Sequence, residues 1–172
     1  MGEEAIRTVA ILQARLGSRR FPGKVLMPLG TKPMLWHIVQ RVRAVSQIDE
    51  VCIATTEHLR DWPLRQFCHV ESLLCYAGSE DDVLDRYYHA AIAFQADRVV
   101  RITGDCPCID PGVINTVLQM QQQGNFDLVG AATGAGALGV EGWHFPDGVD
   151  VECYSFACLE RLWREAKTLQ DR

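Results

Sequence analysis

The chain has no excess of positive charge. Its 172 residues carry 17 lysines and arginines against 22 acids, a net charge of −5. A protein that tracks a nucleic-acid backbone or an anionic membrane needs many clustered cations, so neither is expected as a partner. No apolar run approaches the ~20 residues of a spanning helix. The start, Met1-Gly2-Glu3-Glu4, has neither the basic beginning nor the apolar core of a secretory signal, and Ile6 stands where a lipidation signal wants Ser or Thr. A cytoplasmic location is the expectation.

Familiar cofactor signatures are missing too. Cys106-Pro107-Cys108 is C-x-C rather than C-x-x-C, and no second pair stands at zinc spacing. The seven cysteines are odd in number and sit in apolar settings, as reduced, buried thiols do. The five histidines form no ligand pattern. There is no G-x-G-x-x-G dinucleotide fingerprint. There is no Walker A motif either: five residues separate Gly17 from Gly23, Pro22 interrupts, and Val25 follows Lys24.

What is present is a basic, glycine-bearing loop. The apolar stretch Val9-Ala10-Ile11-Leu12 opens into Gln13-Ala14-Arg15-Leu16-Gly17-Ser18-Arg19-Arg20-Phe21-Pro22-Gly23-Lys24, with four cations, two glycines and no acid. Glycines let the backbone approach an anion, amide N–H groups point at its oxygens, and the cations neutralise it. A polyphosphate is the ligand this composition suits, and an ordinary solvated loop is the alternative.

Strand-like and helix-like segments alternate along the chain. Strands are expected at Val9–Gln13, Val51–Ala54, Leu73–Tyr76, Arg98–Thr103, Asp127–Val129 and Gly148–Tyr154. Helices are expected from about Pro33 to Val45, Trp62 to Cys68, Ser79 onward, Asp110-Pro111 onward, and over Phe156 to Ala166. Ser79 is the expected cap of the third helix, answered by Asp82. The Gly/Ala-rich residues 130–142 read as a mobile loop. The alternation implies a mainly parallel sheet covered on both faces, with ligand at the carboxyl ends of its strands.

Two acidic groups complete a candidate site. A nucleoside triphosphate usually arrives with Mg²⁺, which takes one or two carboxylates plus phosphate oxygens. In Arg101-Ile102-Thr103-Gly104-Asp105-Cys106-Pro107 the strand ends at Thr103, Gly104 allows close approach, and Asp105 projects from the carboxyl end. Its plain alternative is a turn residue before Pro107. In Phe145-Pro146-Asp147-Gly148-Val149-Asp150-Val151-Glu152, strand alternation puts Asp150 and Glu152 on one face. Those two suit metal, sugar hydroxyls, or merely the polar side of an edge strand.

The loop from Ile11 to Leu26, the block Gly78-Ser79-Glu80-Asp81-Asp82-Val83-Leu84-Asp85-Arg86-Tyr87 and the two acidic blocks stand in one order. In that order they resemble the sugar-acid cytidylyltransferases. The similar branch is named after spore-coat polysaccharide biosynthesis protein F and is related to the acylneuraminate and 3-deoxy-manno-octulosonate enzymes. The resemblance implies a three-layer α/β/α, Rossmann-like nucleotide-diphospho-sugar transferase fold. It implies transfer of CMP from CTP to a sugar acid with release of pyrophosphate, in surface-polysaccharide synthesis, with Mg²⁺ as cofactor. Carried over by position, Gln13, Ala14, Arg15, Gly17, Ser18, Arg20, Lys24, Gly78, Ser79, Asp82, Arg101 and Gly104 would bind nucleotide. Arg15, Lys24 and Asp105 would be catalytic, with Asp105 the metal ligand. Asp147, Asp150 and Glu152 would lie near the acceptor sugar.

Such members continue past the closing helix into an Asp-rich segment that supplies a second metal carboxylate and helps form a homodimer. The expectation for this chain is a single domain over 1–172 without that segment. A glycosyltransferase using a finished nucleotide sugar is one rival, though Asp150-Val151-Glu152 only approximates its D-x-D pair. A non-catalytic nucleotide-binding module is the other.

Overall fold

The computed structural model describes residues 6–18, 20–124, 126–131 and 145–168. Strand β1 (Thr8–Gln13) is buried along most of its length because every residue from Val9 to Leu12 is apolar. It pairs in parallel with β4 (Glu50–Thr56) on one side and β6 (Arg98–Thr103) on the other. β5 (Leu74–Gly78) extends the sheet beyond β4, again in parallel. On the far side β8 (Val151–Ser155) runs antiparallel to β6, and β7 (Leu128–Gly130) antiparallel to β8. The order is β5-β4-β1-β6-β8-β7.

Alternation along β1 sorts the core into two layers. Ala10 and Leu12 face α1 (Met34–Arg43), α2 (Trp62–Val70) and α4 (Pro111–Gly124), through Leu35, Ile38, Leu64, Cys68, Ile114 and Leu118. Val9 and Ile11 face α3 (Val83–Ala93) and α5 (Phe156–Glu165), through Tyr87, Ala90, Cys158 and Leu159. Burying one such aliphatic side chain is worth roughly 1.5–3 kcal/mol, and the two layers hold the central strands from both sides. The three-layer, mainly parallel architecture expected from the alternation of segments is present.

Several boundaries moved. β5 continues to Gly78 because Ala77 and Gly78 pair with Thr55 and Thr56, a tertiary cause that Leu73–Tyr76 does not advertise. The third helix is capped by Asp82, whose carboxylate accepts the N–H of Asp85 at 2.8 Å, and Ser79 instead accepts the N–H of Asp82 in the preceding turn. β8 begins at Val151 rather than Gly148, since Asp150 accepts the Gly148 N–H at 3.1 Å and holds residues 147–150 in a turn. β8 also lies inside the sheet, so its polar face is not that of an edge. A two-stranded hairpin, β2 (Pro28–Leu29) with β3 (Lys32–Pro33), was not expected. It delivers the chain from the basic loop into α1. Residues 132–142 of the expected mobile loop lie outside the described residues.

Candidate active site

The carboxyl ends of β1 and β6 meet at the basic loop. Gly104 donates its N–H to the carbonyl of Gln13 at 2.7 Å, and Ala14 donates to the carbonyl of Ala54 at 3.1 Å. These bonds carry the ladder one step past each strand. The loop then closes on itself where the Gly23 N–H reaches the Leu16 carbonyl at 2.9 Å. A short 3₁₀ turn, Lys24–Leu26, follows and buries Val25.

Between loop and strand end lies a cavity of about 350 Å³, lined by Gln13, Ala14, Arg15, Ser18, Arg20, Lys24, Val25, Thr103, Gly104 and Asp105. Eight of the residues singled out in the sequence therefore come together, from segments some ninety residues apart. Val25 and Thr103 also line the cavity and were not singled out. Thr103 had a signal, as the last residue of the strand before Gly104-Asp105.

Two of the charges in the cavity meet each other. Lys24 forms an ion pair with Asp105 across it. Burial pushes the Asp105 carboxyl up, but hydrogen bonds from Lys24 and Thr103 and the Lys24 charge outweigh it, so the carboxyl sits below its ordinary value. A carboxylate with a lowered folded-state pKa contributes stability above the unfolded value, about pH 4, and loses it as pH falls through the folded value. Removing Lys24 takes away two of the effects that oppose burial and leaves the Thr103 hydrogen bond. Lys24→Ala is therefore expected to move the Asp105 titration upward. Carboxyl NMR titration of both proteins would measure this, and an unmoved Asp105 would mean that the ion pair does not hold it.

Other predicted residues stand outside this cavity. Gly78 ends β5, and Ser79 and Asp82 serve the turn into α3, with the Ser79 carbonyl accepting from Arg86. Their link to the loop is Glu80, which lies 3.7 Å from Arg15 and also pairs with Arg60. Gly17 lies beneath the Arg60 side chain. Arg101 donates to Glu152 at 2.8 Å between β6 and β8. Together with Thr103, Ala131, Asp150 and Val151 they enclose only about 40 Å³ among the described residues, room for water rather than sugar. Asp150 accepts from Gly148 and, at 3.7 Å, from the Cys106 thiol. Asp147 is exposed in its turn and lines neither space.

Among the described residues no group of three or more His, Cys, Asp or Glu side chains is placed to hold a metal, and no helix is long and apolar enough to cross a membrane. Asp105 is thus a single carboxylate facing a cationic loop.

The sequence model of one family, described as "Cytidylyltransferase", matches residues 9–167. The chain belongs to that family. Its sugar-acid branch is the one expected from the motifs, and similar proteins from that branch are found. Spore coat polysaccharide biosynthesis protein SpsF of Bacillus subtilis is 38% identical over 113 residues, covering 63% of this chain and 47% of that protein. A 3-deoxy-manno-octulosonate cytidylyltransferase of Trichlorobacter lovleyi is 33% identical over 114 residues, covering 66% of this chain and 44% of that protein. The chain thus spans about half the length of these curated relatives. A solved cytidylyltransferase from Leptospira borgpetersenii superposes with a TM-score of 0.86 at 26% identity, covering 98% of this chain and 68% of that one. The cytidylyltransferase match spans both strand ends that build the cavity and the acidic blocks beside them.

Proposed function

We propose that the chain transfers CMP from CTP to a sugar acid and releases pyrophosphate, in the synthesis of a surface polysaccharide. The observation that carries this reading is the cavity itself. Three cations and the backbone of a tight loop line one side, and one carboxylate stands opposite. Family membership supports cytidylyl transfer as the chemistry, and the relatives' printed names support a sugar-acid acceptor.

Each side chain has a task that follows from its place. Gln13 and the backbone at Ala14 form the floor at the end of β1, where a base and ribose can be held by hydrogen bonds. Arg15, Ser18, Arg20 and Lys24 face the phosphates. Nucleotidyl transfer depends mainly on positioning and on neutralising charge as it grows on the bridging oxygen. Lys24 is placed to leave Asp105 for a phosphate oxygen when the triphosphate arrives, since a polyanion offers it more negative charge than one carboxylate. The acceptor supplies the nucleophilic hydroxyl, so no covalent protein nucleophile is needed.

Asp105 fits a magnesium ion as one protein ligand, because Mg²⁺ keeps several waters and takes substrate phosphates as partners. When bound, it would neutralise charge on the attacking and leaving oxygens.

The test is pyrophosphate release from CTP, with Mg²⁺ and a panel of sugar acids. Pyrophosphate formed only when acceptor and CTP are both present is the expected result. CTP with Mg²⁺ should also raise the thermal midpoint, as ligands of the native state do. No release with any acceptor and no shift at millimolar CTP would overturn the assignment.

A further inference from the structure

The β4–α2 connection holds a buried acid that the reaction chemistry does not use. A 3₁₀ turn, Leu59–Asp61, leads from β4 into α2. Asp61, its last residue, is fully buried. An aspartate just before Trp62-Pro63 has the sequence look of a helix cap, yet its side chain makes no capping bond to α2. It points the other way. One carboxylate oxygen accepts the backbone N–H of Leu16 at 2.7 Å, and the other accepts the hydroxyl of Thr56.

Leu16 is the waist of the basic loop. Its carbonyl closes the loop by accepting the Gly23 N–H, and its N–H is held by Asp61. Both backbone groups of one residue are thereby fixed, with Arg15 on one side and Gly17-Ser18 on the other. The neighbouring Arg60 adds a second contact, its Nε lying 2.6 Å from where a Cβ at position 17 would stand. The turn thus touches the loop at two successive residues. A buried carboxylate is costly unless its oxygens are satisfied, and here one is satisfied by the loop's Leu16 amide and the other by the Thr56 hydroxyl at the end of β4.

We propose that Asp61 is a positioning residue for the phosphate-gripping loop. It acts through the Leu16 amide and touches no substrate. This rests on the reading of that loop as the triphosphate site. It predicts a pattern that a general loss of stability would not give. Removing Asp61 should weaken ligands in proportion to the phosphates that the loop must grip, and should leave a ligand with one phosphate nearly untouched.

The experiment uses the full chain and three probes: CTP, CMP and inorganic tripolyphosphate. Asp61→Ala strands the Leu16 N–H, and an orphaned buried donor or its relaxation is expected to weaken CTP and tripolyphosphate binding about tenfold. CMP affinity should change less than twofold. Asp61→Asn can still accept from Leu16 while the Thr56 hydroxyl turns to accept from its amide, so it should restore most of the loss. Amide exchange should show faster exchange at Leu16 in Asp61→Ala, with core amides such as Ile11 unaffected. Should Asp61→Ala fail to fold, Asp61→Ser, which keeps one acceptor, carries the same comparison. Equal losses for CTP and CMP, no loss for either polyphosphate, or no rescue by Asn would overturn the proposal. If the wild type binds tripolyphosphate but not CTP, the nucleotide assignment fails and Asp61 is judged on tripolyphosphate alone. If it binds neither, both fall.

Discussion

Asp105→Asn is expected to cut turnover by about a hundredfold or more, the scale of losing one charge aimed at a developing charge, while moving the thermal midpoint little. Asn keeps the size, one oxygen and the capacity to sit in a turn, so a purely structural Asp105 would tolerate it. What Asn loses is the charge that Mg²⁺ prefers and the ion pair with Lys24. Both partners of that pair remain partly open to water, with side chains 25% and 38% exposed, so Lys24 regains solvent and stability changes little. The measurement is pyrophosphate release against Mg²⁺ concentration for both proteins. Wild-type turnover and metal dependence in the variant would remove Asp105 from the chemistry.

The second large effect is expected at Gly104. A Cβ there would lie 2.7 Å from the Gln13 carbonyl oxygen and 2.9 Å from the Ala14 Cβ. Neither neighbour is the end of a flexible side chain. Relief requires the end of β6 to move away from the end of β1, which breaks the 2.7 Å bond between the Gly104 N–H and Gln13. Overpacking of this kind costs roughly 1–3 kcal/mol, a drop of several degrees in midpoint for a chain of this size. Because Gln13, Ala14 and Gly104 all wall the cavity, Gly104→Ala should also weaken CTP binding. Thermal unfolding and CTP titration check this. A variant with both properties intact would show that the two strand ends are not in rigid contact.

The parts of the fold that composition decides were legible. β6 ends where it was expected because the apolar residues Val99, Val100 and Ile102 give way to Gly104-Asp105. The basic loop was legible because four cations without an acid need a reason to be together. Boundaries set by partners distant in sequence were not. β5 runs on through Gly78 only because β4 offers it hydrogen bonds. The hairpin of β2 and β3 is too short to leave a pattern. Asp61 was the instructive miss. It was not singled out in the sequence, because its partner Leu16 lies 45 residues away. Arg101, Asp150 and Glu152 were read as open to ligand, but Arg101 and Glu152 are partners of one another, and Asp150 bonds its own turn. Asp150 and Glu152 do line one small space, but Asp150 sits in the turn before β8 rather than in the strand, and alternation is silent about which cation comes to meet Glu152.

The sheet order sets when the site comes into being. β1 is made some ninety residues before its neighbour β6, which is paired with it at Thr8 and Arg98, Gln13 and Thr103. The loop that follows β1 acquires its opposite wall only after most of the chain exists. Closing so long a loop carries an entropic cost that nothing local offsets, and such distant pairing slows folding. On a ribosome, the nascent basic loop would be exposed, cationic and without its acid partner for the whole synthesis of residues 24–105. The two walls of the cavity therefore meet only once the β1–β6 ladder has formed.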